Sequence, residues 1–113
     1  MNGITSHVLD VALGRPAAGV RVQLEVAEGS AWRRLAEAVT DSNGRVADLL
    51  GGSTPTESRT YRLTFDTGAY FAATNRSCFY PRVEIIFQVS APGEHHHVPL
   101  LMAPYGYSTY RGS

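Results

Sequence analysis

Hydrophobic and polar residues alternate along several short stretches of the chain, which is the pattern of a β-strand with one buried and one solvated face. The clearest alternation covers residues 20–26, and a second covers residues 61–65. Residues 83–90 and 97–102 are two further β-rich runs, and the turn signal A-P-G-E between them predicts a hairpin. Weaker alternation predicts two more strands, at residues 4–9 and 32–40.

One segment departs from this pattern. Residues 67–75 are alanine-rich and follow Asp66, a residue type that caps helices, so a short helix is expected there. The sequence D-S-N-G at residues 41–44 predicts a turn in which glycine can adopt a positive φ. Pro99 predicts that the last strand lies at a sheet edge or carries a bulge. Together these features indicate an all-β fold, an antiparallel β-sandwich with one short helix, in which residues 1–113 form a single domain.

Composition excludes several classes of function. The chain has 113 residues, and its ten basic residues, all arginine, balance ten acidic ones. The sequence pI of about 6.9 therefore predicts no attraction to nucleic acid or to a membrane surface. The absence of lysine excludes Schiff-base chemistry and a P-loop. A single cysteine, Cys78, and the lack of an apolar leader or a run of about 20 apolar residues predict a cytoplasmic protein.

Histidines are the first candidates for chemistry. Three of the four are consecutive, His95, His96 and His97, and on a strand the first and third would share a face. That pair could bind zinc with His7 as a third ligand, but no other cluster completes a metal site, and a solvated loop after Pro92-Gly93 is the favoured alternative. No cofactor or metal is predicted. Taken alone, His7 would be a half-buried histidine bonded to the backbone.

The C-terminal sequence P-Y-G-Y-S-T-Y-R-G-S is unusual for a terminus. It contains three tyrosines and one arginine close to the free carboxylate, whereas termini that are not held in place are usually disordered. We therefore expect this tail to be docked on the domain or to take part in chemistry.

Five motifs, in this order, carry a family resemblance: S-H-V-L-D, G-R-P-A-A-G-V-R-V, N-G-R, H-V-P-L-L and the closing Y-R-G-S. Along essentially its whole length the chain resembles the transthyretin-like 5-hydroxyisourate hydrolases. The discriminating pieces are His7, His97 and the final tetrapeptide, because the other motifs are strand and turn elements with structural roles. His96 stands where tyrosine is common in this family, and Met102-Ala103 where Leu-Ser is more usual.

The resemblance implies a transthyretin/prealbumin-like Greek-key sandwich of about 7–8 strands that assembles as a homotetramer with its sites at subunit interfaces. It also implies hydrolysis of the small molecule 5-hydroxyisourate to 2-oxo-4-hydroxy-4-carboxy-5-ureidoimidazoline in urate degradation. Water must be deprotonated, the leaving nitrogen protonated and an oxyanion stabilised. His7 and His97 are candidates for base and acid, in either order, and Arg45 for the oxyanion. The expected catalytic residues are His7, Arg45, His97 and Ser113, and the expected substrate-binding residues are His7, Arg45, His97, Tyr110, Arg111 and Gly112.

Two other hypotheses about function are compatible with the same fold. A transthyretin-type carrier would bind a thyroid-hormone-like ligand without catalysis, and a structural module would have no pocket. A carrier has no need for two histidines, Arg45 and Y-R-G-S together, and a docked tail argues against a structural module. The hydrolase is therefore the favoured hypothesis.

Overall fold

The structure, a computed structural model, describes residues 3–51, 59–90 and 94–112. Those residues form nine β-strands and one α-helix. In chain order the elements are β1 (Gly3–Asp10), β2 (Arg15–Pro16), β3 (Arg21–Glu28), β4 (Ala31–Val39), β5 (Arg45–Val46), β6 (Arg59–Phe65), α1 (Thr67–Ala73), β7 (Val83–Val89), β8 (His95–Ala103) and β9 (Gly106–Thr109). Within this part of the chain, no helix is long and apolar enough to cross a membrane.

The strands form two sheets that pack against each other. One sheet has the order β2-β1-β8-β9, with β5 also paired to β1, and the other has the order β4-β3-β6-β7. The all-β sandwich with one short helix is therefore confirmed. All strands predicted from the alternation are present, whereas β2, β5 and β9 are too short or too polar for the pattern to indicate them.

The core lies between the sheets and follows the alternation of the strands. On β3, Val22, Leu24 and Val26 are buried, and Leu63 and Phe65 on β6 lie beside them. From the other sheet, alternate side chains of β1 and β8 complete the same cluster. Full burial of an aliphatic or aromatic side chain stabilises the fold by roughly 1.5–3 kcal/mol. This burial determines which face of each strand is left for chemistry.

The predicted hairpin between residues 83–90 and 97–102 is wrong. β7 pairs with β6, whereas β8 pairs with β1 and β9, so the two runs belong to different sheets. Each run buries one face in the shared core, and a crossover between sheets satisfies that pattern as well as a hairpin does. Alternation determines which face of a strand is buried but not the strand with which it pairs.

The prediction that Pro99 marks an edge strand or a bulge is also wrong. β8 lies between β1, with which it pairs in parallel, and β9, and both registers are continuous. The pairs on the β9 side end at Leu100 with Thr109 and resume at an isolated bridge between His97 and Gly112. Pro99 lies in this gap, where its missing N–H leaves no donor unpaired, and its carbonyl accepts from the Thr109 hydroxyl at 2.7 Å. The β1–β8 pair is the parallel exception to the antiparallel sandwich.

The predicted turn at residues 41–44 is confirmed, and it places β5 beside β1. The Asp41 carboxylate accepts from the backbone amides of Asn43 at 2.8 Å and Arg45 at 3.0 Å. Gly44 has φ 75°, and its carbonyl accepts from the amide of Val8 at 2.7 Å. A side chain at Gly44 would collide with the carbonyl oxygen of Val8, so both the conformation and the close approach require glycine.

The helix α1 is two residues shorter than predicted and is held on the far end of β1. The Asp66 carboxylate accepts from the amide of Ala69 at 3.3 Å, which confirms the predicted N-cap. The fully buried Asp10 accepts from Arg76 at 2.6 Å and from the Tyr70 hydroxyl at 2.8 Å. Burial alone would raise the pKa of Asp10, but these hydrogen bonds lower it below its usual value. Asp10 thus remains ionised and fixes the end of the strand that carries His7.

Candidate active site

One outer face of the β1–β8 pair carries three of the four histidines. Alternation on β1 directs Thr5 and His7 away from the core, and alternation on β8 does the same for His95 and His97. The parallel register places Thr5 opposite His97. His96 points inward and is buried, so the prediction of a solvated loop here is wrong: all three consecutive histidines belong to β8.

Arg45 joins this face because β5 pairs with β1. The register places Arg45 directly opposite His7. Next to this pair lies an open depression of about 410 Å³, which we call the histidine pocket. Its polar lining comes from Thr5, Ser6, Asp41, Arg45, Asp48, His95 and His97. Two of the four predicted catalytic residues, Arg45 and His97, thus share one pocket, and another, His7, is paired with Arg45.

The ring of His97 is held through one of its two nitrogens. Its Nδ1 lies 2.8 Å from the Thr5 hydroxyl oxygen, and the same oxygen lies 2.8 Å from Nε2 of His95. The two imidazole rings are 6.2 Å apart between centroids. Because Nδ1 is engaged, Nε2 is the nitrogen of His97 that is available to a substrate or a water molecule.

The surroundings of His97 favour its neutral form. Burial lowers its pKa below the usual 6.5, and the neighbouring His95, Arg45 and His7 lower it further by charge repulsion. A histidine that is neutral at pH 7 has a free lone pair and can accept a proton. His97 therefore has the electrostatic properties of a general base.

His7 is oriented by the turn that precedes β5. Its Nε2 lies 2.9 Å from the carbonyl oxygen of Asn43. A carbonyl only accepts, so Nε2 of His7 carries the hydrogen and donates it. This contact fixes the orientation of the His7 ring, and Arg45 lies opposite His7 in the β1–β5 register.

In the described part of the tail, Gly112 contacts His97. Its amide donates to the carbonyl of His97 at 2.8 Å, which docks the tail on β8 as predicted. A Cβ atom at Gly112 would lie 2.6 Å from Cδ2 and 3.3 Å from Cγ of the His97 ring. Only glycine leaves room for the imidazole in this position.

We predict that Gly112→Ala lowers kcat/KM about 100-fold, because a displacement of the ring by about 1 Å removes a reacting group from its productive geometry. Steady-state hydrolysis and thermal unfolding of the variant would test this. Gly106→Ala in the same tail is the matched control, since a Cβ at Gly106 meets no atom within 4 Å. Equal activity of the two variants would contradict the steric argument.

Tyr110 and Arg111, two further predicted tail residues, lie outside the histidine pocket. Tyr110 and Arg111 line a second depression of about 330 Å³, which we call the tail pocket and which also contains His96, Ile86 and Val98. The Arg111 guanidinium donates to Glu94 at 3.1 Å instead of facing the histidine pocket. Ser113, predicted as a catalytic carboxylate, lies outside the described residues.

The histidines do not form a recognisable metal centre. In the described segments, no group of three or more histidine, cysteine, aspartate or glutamate side chains is arranged to hold an ion. His95 and His97 instead both contact the Thr5 hydroxyl.

Sequence reasoning missed Thr5 and left the role of His95 open. The signal for both was the period of two: Thr5 shares a face with His7, and His95 shares a face with His97. The alternation does not indicate that β1 and β8 are neighbours in the sheet. It therefore gives no reason to expect Thr5 next to His97.

Comparison with known proteins agrees with this architecture. The 5-hydroxyisourate hydrolase of Deinococcus radiodurans is 44% identical over 114 residues, which cover 98% of this chain and 96% of that protein. The solved structure of 5-hydroxyisourate hydrolase from Klebsiella pneumoniae is 40% identical and matches with a TM-score of 0.82, covering 97% of this chain and 98% of that one.

Transthyretin shares the fold at lower identity. The crystal structure of transthyretin from Sparus aurata matches with a TM-score of 0.89 at 27% identity and covers 99% of this chain and 97% of that one. The transthyretin-like sandwich implied by the sequence motifs is thereby confirmed. Residues 4–112 match the profile of the HIUase/Transthyretin family, and the chain therefore belongs to that family.

Proposed function

We propose that this protein hydrolyses 5-hydroxyisourate to 2-oxo-4-hydroxy-4-carboxy-5-ureidoimidazoline in urate degradation. The observation that carries the proposal is His97, whose pKa is lowered and whose Nε2 is available, in one pocket with Arg45 and beside His7. The Deinococcus radiodurans and Klebsiella pneumoniae relatives are both named 5-hydroxyisourate hydrolases. The two lines of support are independent, since one rests on side-chain chemistry and the other on overall similarity.

In the proposed reaction, His97 activates the nucleophile. Its Nε2 accepts a proton from water as the water oxygen attacks a carbonyl carbon of the six-membered ring. The lowered pKa of His97 keeps its ring neutral at neutral pH, so that one ring nitrogen has a free lone pair. General base catalysis by a positioned imidazole contributes about 10²–10⁴-fold to the rate.

Arg45 stabilises the tetrahedral intermediate in this proposal. Attack of water converts the carbonyl oxygen to an oxyanion, and a guanidinium remains positively charged at any working pH. The C–N bond of the ring then breaks, and the leaving nitrogen takes up a proton from His97 or His7. The product is the ring-opened carboxylate.

The tail completes the site in our proposal. Gly112 already packs on the His97 ring. Tyr110 and Arg111 would bind substrate, and the Ser113 carboxylate would orient a histidine, as the acid of a catalytic triad does. Within one subunit, Tyr110 and Arg111 line the tail pocket and not the histidine pocket. In the proposal they therefore contact a substrate that is bound in the histidine pocket of a neighbouring subunit.

A homotetramer with its sites at subunit interfaces is therefore part of the proposal. The histidine pocket is open to the surface, whereas small-molecule sites usually bury 70–90% of their ligand, so a second subunit would be needed to enclose the substrate. β7 and β9 are edge strands, and Ile86 and Tyr110 near them are 60% exposed. We propose the cytoplasm as the compartment, where the thiol of Cys78 would stay reduced.

The experiment that tests the function is the ultraviolet decay of 5-hydroxyisourate generated freshly from urate by urate oxidase. We expect decay much faster than the spontaneous reaction when the protein is added. Decay at the rate of buffer from a correctly folded protein would contradict hydrolysis. Binding of a thyroid-hormone-like ligand without turnover would then support the carrier alternative.

A further inference from the structure

The Thr5 hydroxyl lies between two histidine nitrogens at equal distance. Its oxygen is 2.8 Å from Nδ1 of His97 and 2.8 Å from Nε2 of His95. Thr5 and the two histidines are each half-buried on the outer face of the β1–β8 pair. A hydroxyl has one hydrogen to donate, so it can donate to one of these nitrogens and must accept from the other when both bonds are formed.

Two arrangements satisfy both bonds when the rings are neutral. In the first, Nδ1–H of His97 donates to Thr5, and the Thr5 hydroxyl donates to Nε2 of His95. In the second, all donors are reversed, so that Nε2 of His97 carries the hydrogen and cannot accept a proton. The two arrangements therefore differ in whether His97 can act as a base.

Only the first arrangement survives when His97 accepts a proton. An imidazolium carries hydrogens on both nitrogens, so Nδ1–H must donate to the Thr5 oxygen, and the Thr5 hydroxyl must donate onward. His95 receives that hydrogen at Nε2. The first arrangement therefore needs no reorganisation during the reaction, which is the property of a preorganised site.

We propose that Thr5 and His95 are positioning residues that hold His97 in the tautomer with Nδ1 protonated and Nε2 free. The inference rests on the proposed role of His97 as general base. Neither residue needs to touch the substrate: Thr5 acts through the His97 ring, and His95 acts through the Thr5 hydroxyl.

The proposed network also stabilises the charge that develops on His97. The hydrogen bond from the imidazolium to Thr5 is charge-assisted, and donation from Thr5 to His95 polarises the Thr5 oxygen. This stabilisation opposes the repulsion from neighbouring positive charges. The charged and titratable groups around His97 are His7 on β1, Arg45 on β5, His95 on β8, and Asp41 and Asp48 beside β5.

Thr5→Val tests the inference because it keeps the branched shape and removes the hydroxyl. We expect kcat to fall about 10- to 150-fold with little change in KM, the effect of losing a hydrogen bond to a charged group. The acid limb of the pH profile should move to lower pH, since the imidazolium loses a partner. Thr5→Ser should restore most of the activity, and His95→Leu should resemble Thr5→Val.

The matched control is Thr60→Val, a strand threonine in the other sheet whose hydroxyl donates to Gln88 at 2.6 Å. It should retain wild-type kinetics. A fall in kcat equal to that of Thr5→Val would assign both effects to general loosening of the sandwich and overturn the inference.

Nitrogen-15 NMR of the histidine rings gives a readout that does not depend on hydrolysis. We expect the wild-type His97 to be protonated at Nδ1 and the Thr5→Val variant to lose this preference. A wild-type His97 protonated at Nε2, or a tautomer unchanged by Thr5→Val, would overturn the inference. If the wild-type protein did not hydrolyse 5-hydroxyisourate, the proposed function would be refuted. The NMR measurement of the His97 tautomer would still test the positioning role of Thr5 and His95.

Discussion

Replacing His97 with alanine is expected to lower kcat/KM for 5-hydroxyisourate by about 10²–10⁴-fold, the contribution of a positioned general base. The side chain is half-buried on the outer face of β8, outside the hydrophobic core, so the sandwich should remain folded. The measurement is the initial rate of ultraviolet decay, with thermal unfolding as the check on folding. An activity within threefold of wild type corresponds to a loss of no more than about 0.6 kcal/mol of transition-state stabilisation. Such a result would exclude His97 as the base.

The neighbouring His96 offers a matched control. It is buried on the opposite face of β8, and its Nδ1–H donates to the carbonyl of Glu94 at 2.9 Å. His96→Asn can retain that donor, so we expect a rate close to that of wild type. Loss of activity in both variants would show that any change to this strand disrupts the site.

The pH profile supplies a further test of His97. Its pKa is lowered below 6.5 by burial and by the charges of His95, Arg45 and His7. A base must be unprotonated to act, so the acid limb of kcat/KM should have its midpoint below pH 6.5. An acid limb with its midpoint above 6.5 would contradict the assignment.

Replacing Arg45 with methionine is expected to lower kcat/KM by about 10²–10³-fold, as for other removals of a group that stabilises an oxyanion. Methionine has similar length and no charge. Arg45→Lys should give an intermediate rate, because an ammonium retains the charge but not the planar pair of donors. Steady-state rates of the three proteins would show this order.

Arg45→Met should also change the pH profile. Arg45 is one of the positive charges that lower the pKa of His97, so its removal raises that pKa and moves the acid limb to higher pH. Arg33→Met is the control, since Arg33 is exposed on the other sheet and pairs with Glu28. If both arginine variants lost activity equally, a general effect of net charge would replace the specific role of Arg45.

Much of the secondary structure could be predicted because burial imposes a period on the strands. Alternation over residues 20–26 and 61–65 predicts β3 and β6, whose alternate side chains are buried in the core. The Asp66 cap and the D-S-N-G turn could be predicted equally well, since each depends on hydrogen bonds between residues that are close along the chain. Local chemistry was therefore sufficient for these elements.

Strand pairing could not be predicted in the same way. The hairpin expected between residues 83–90 and 97–102 fails because β7 and β8 bury equivalent faces from opposite sheets. Pro99 is tolerated in an interior strand because the pairs with the tail are interrupted at that residue. Both facts depend on residues that are distant along the chain.

The sequence by itself determined the residue types of the site and, for His7 and His97 on the predicted strands, the face on which each lies, because strand geometry alternates side chains regardless of what packs against them. The family motifs added the expected partnership of His7, Arg45 and His97. Only the tertiary structure placed Thr5 between His95 and His97 and Gly112 on the His97 ring. Those contacts depend on the parallel β1–β8 register and on the docked tail, which are decided by the packing of the whole sandwich.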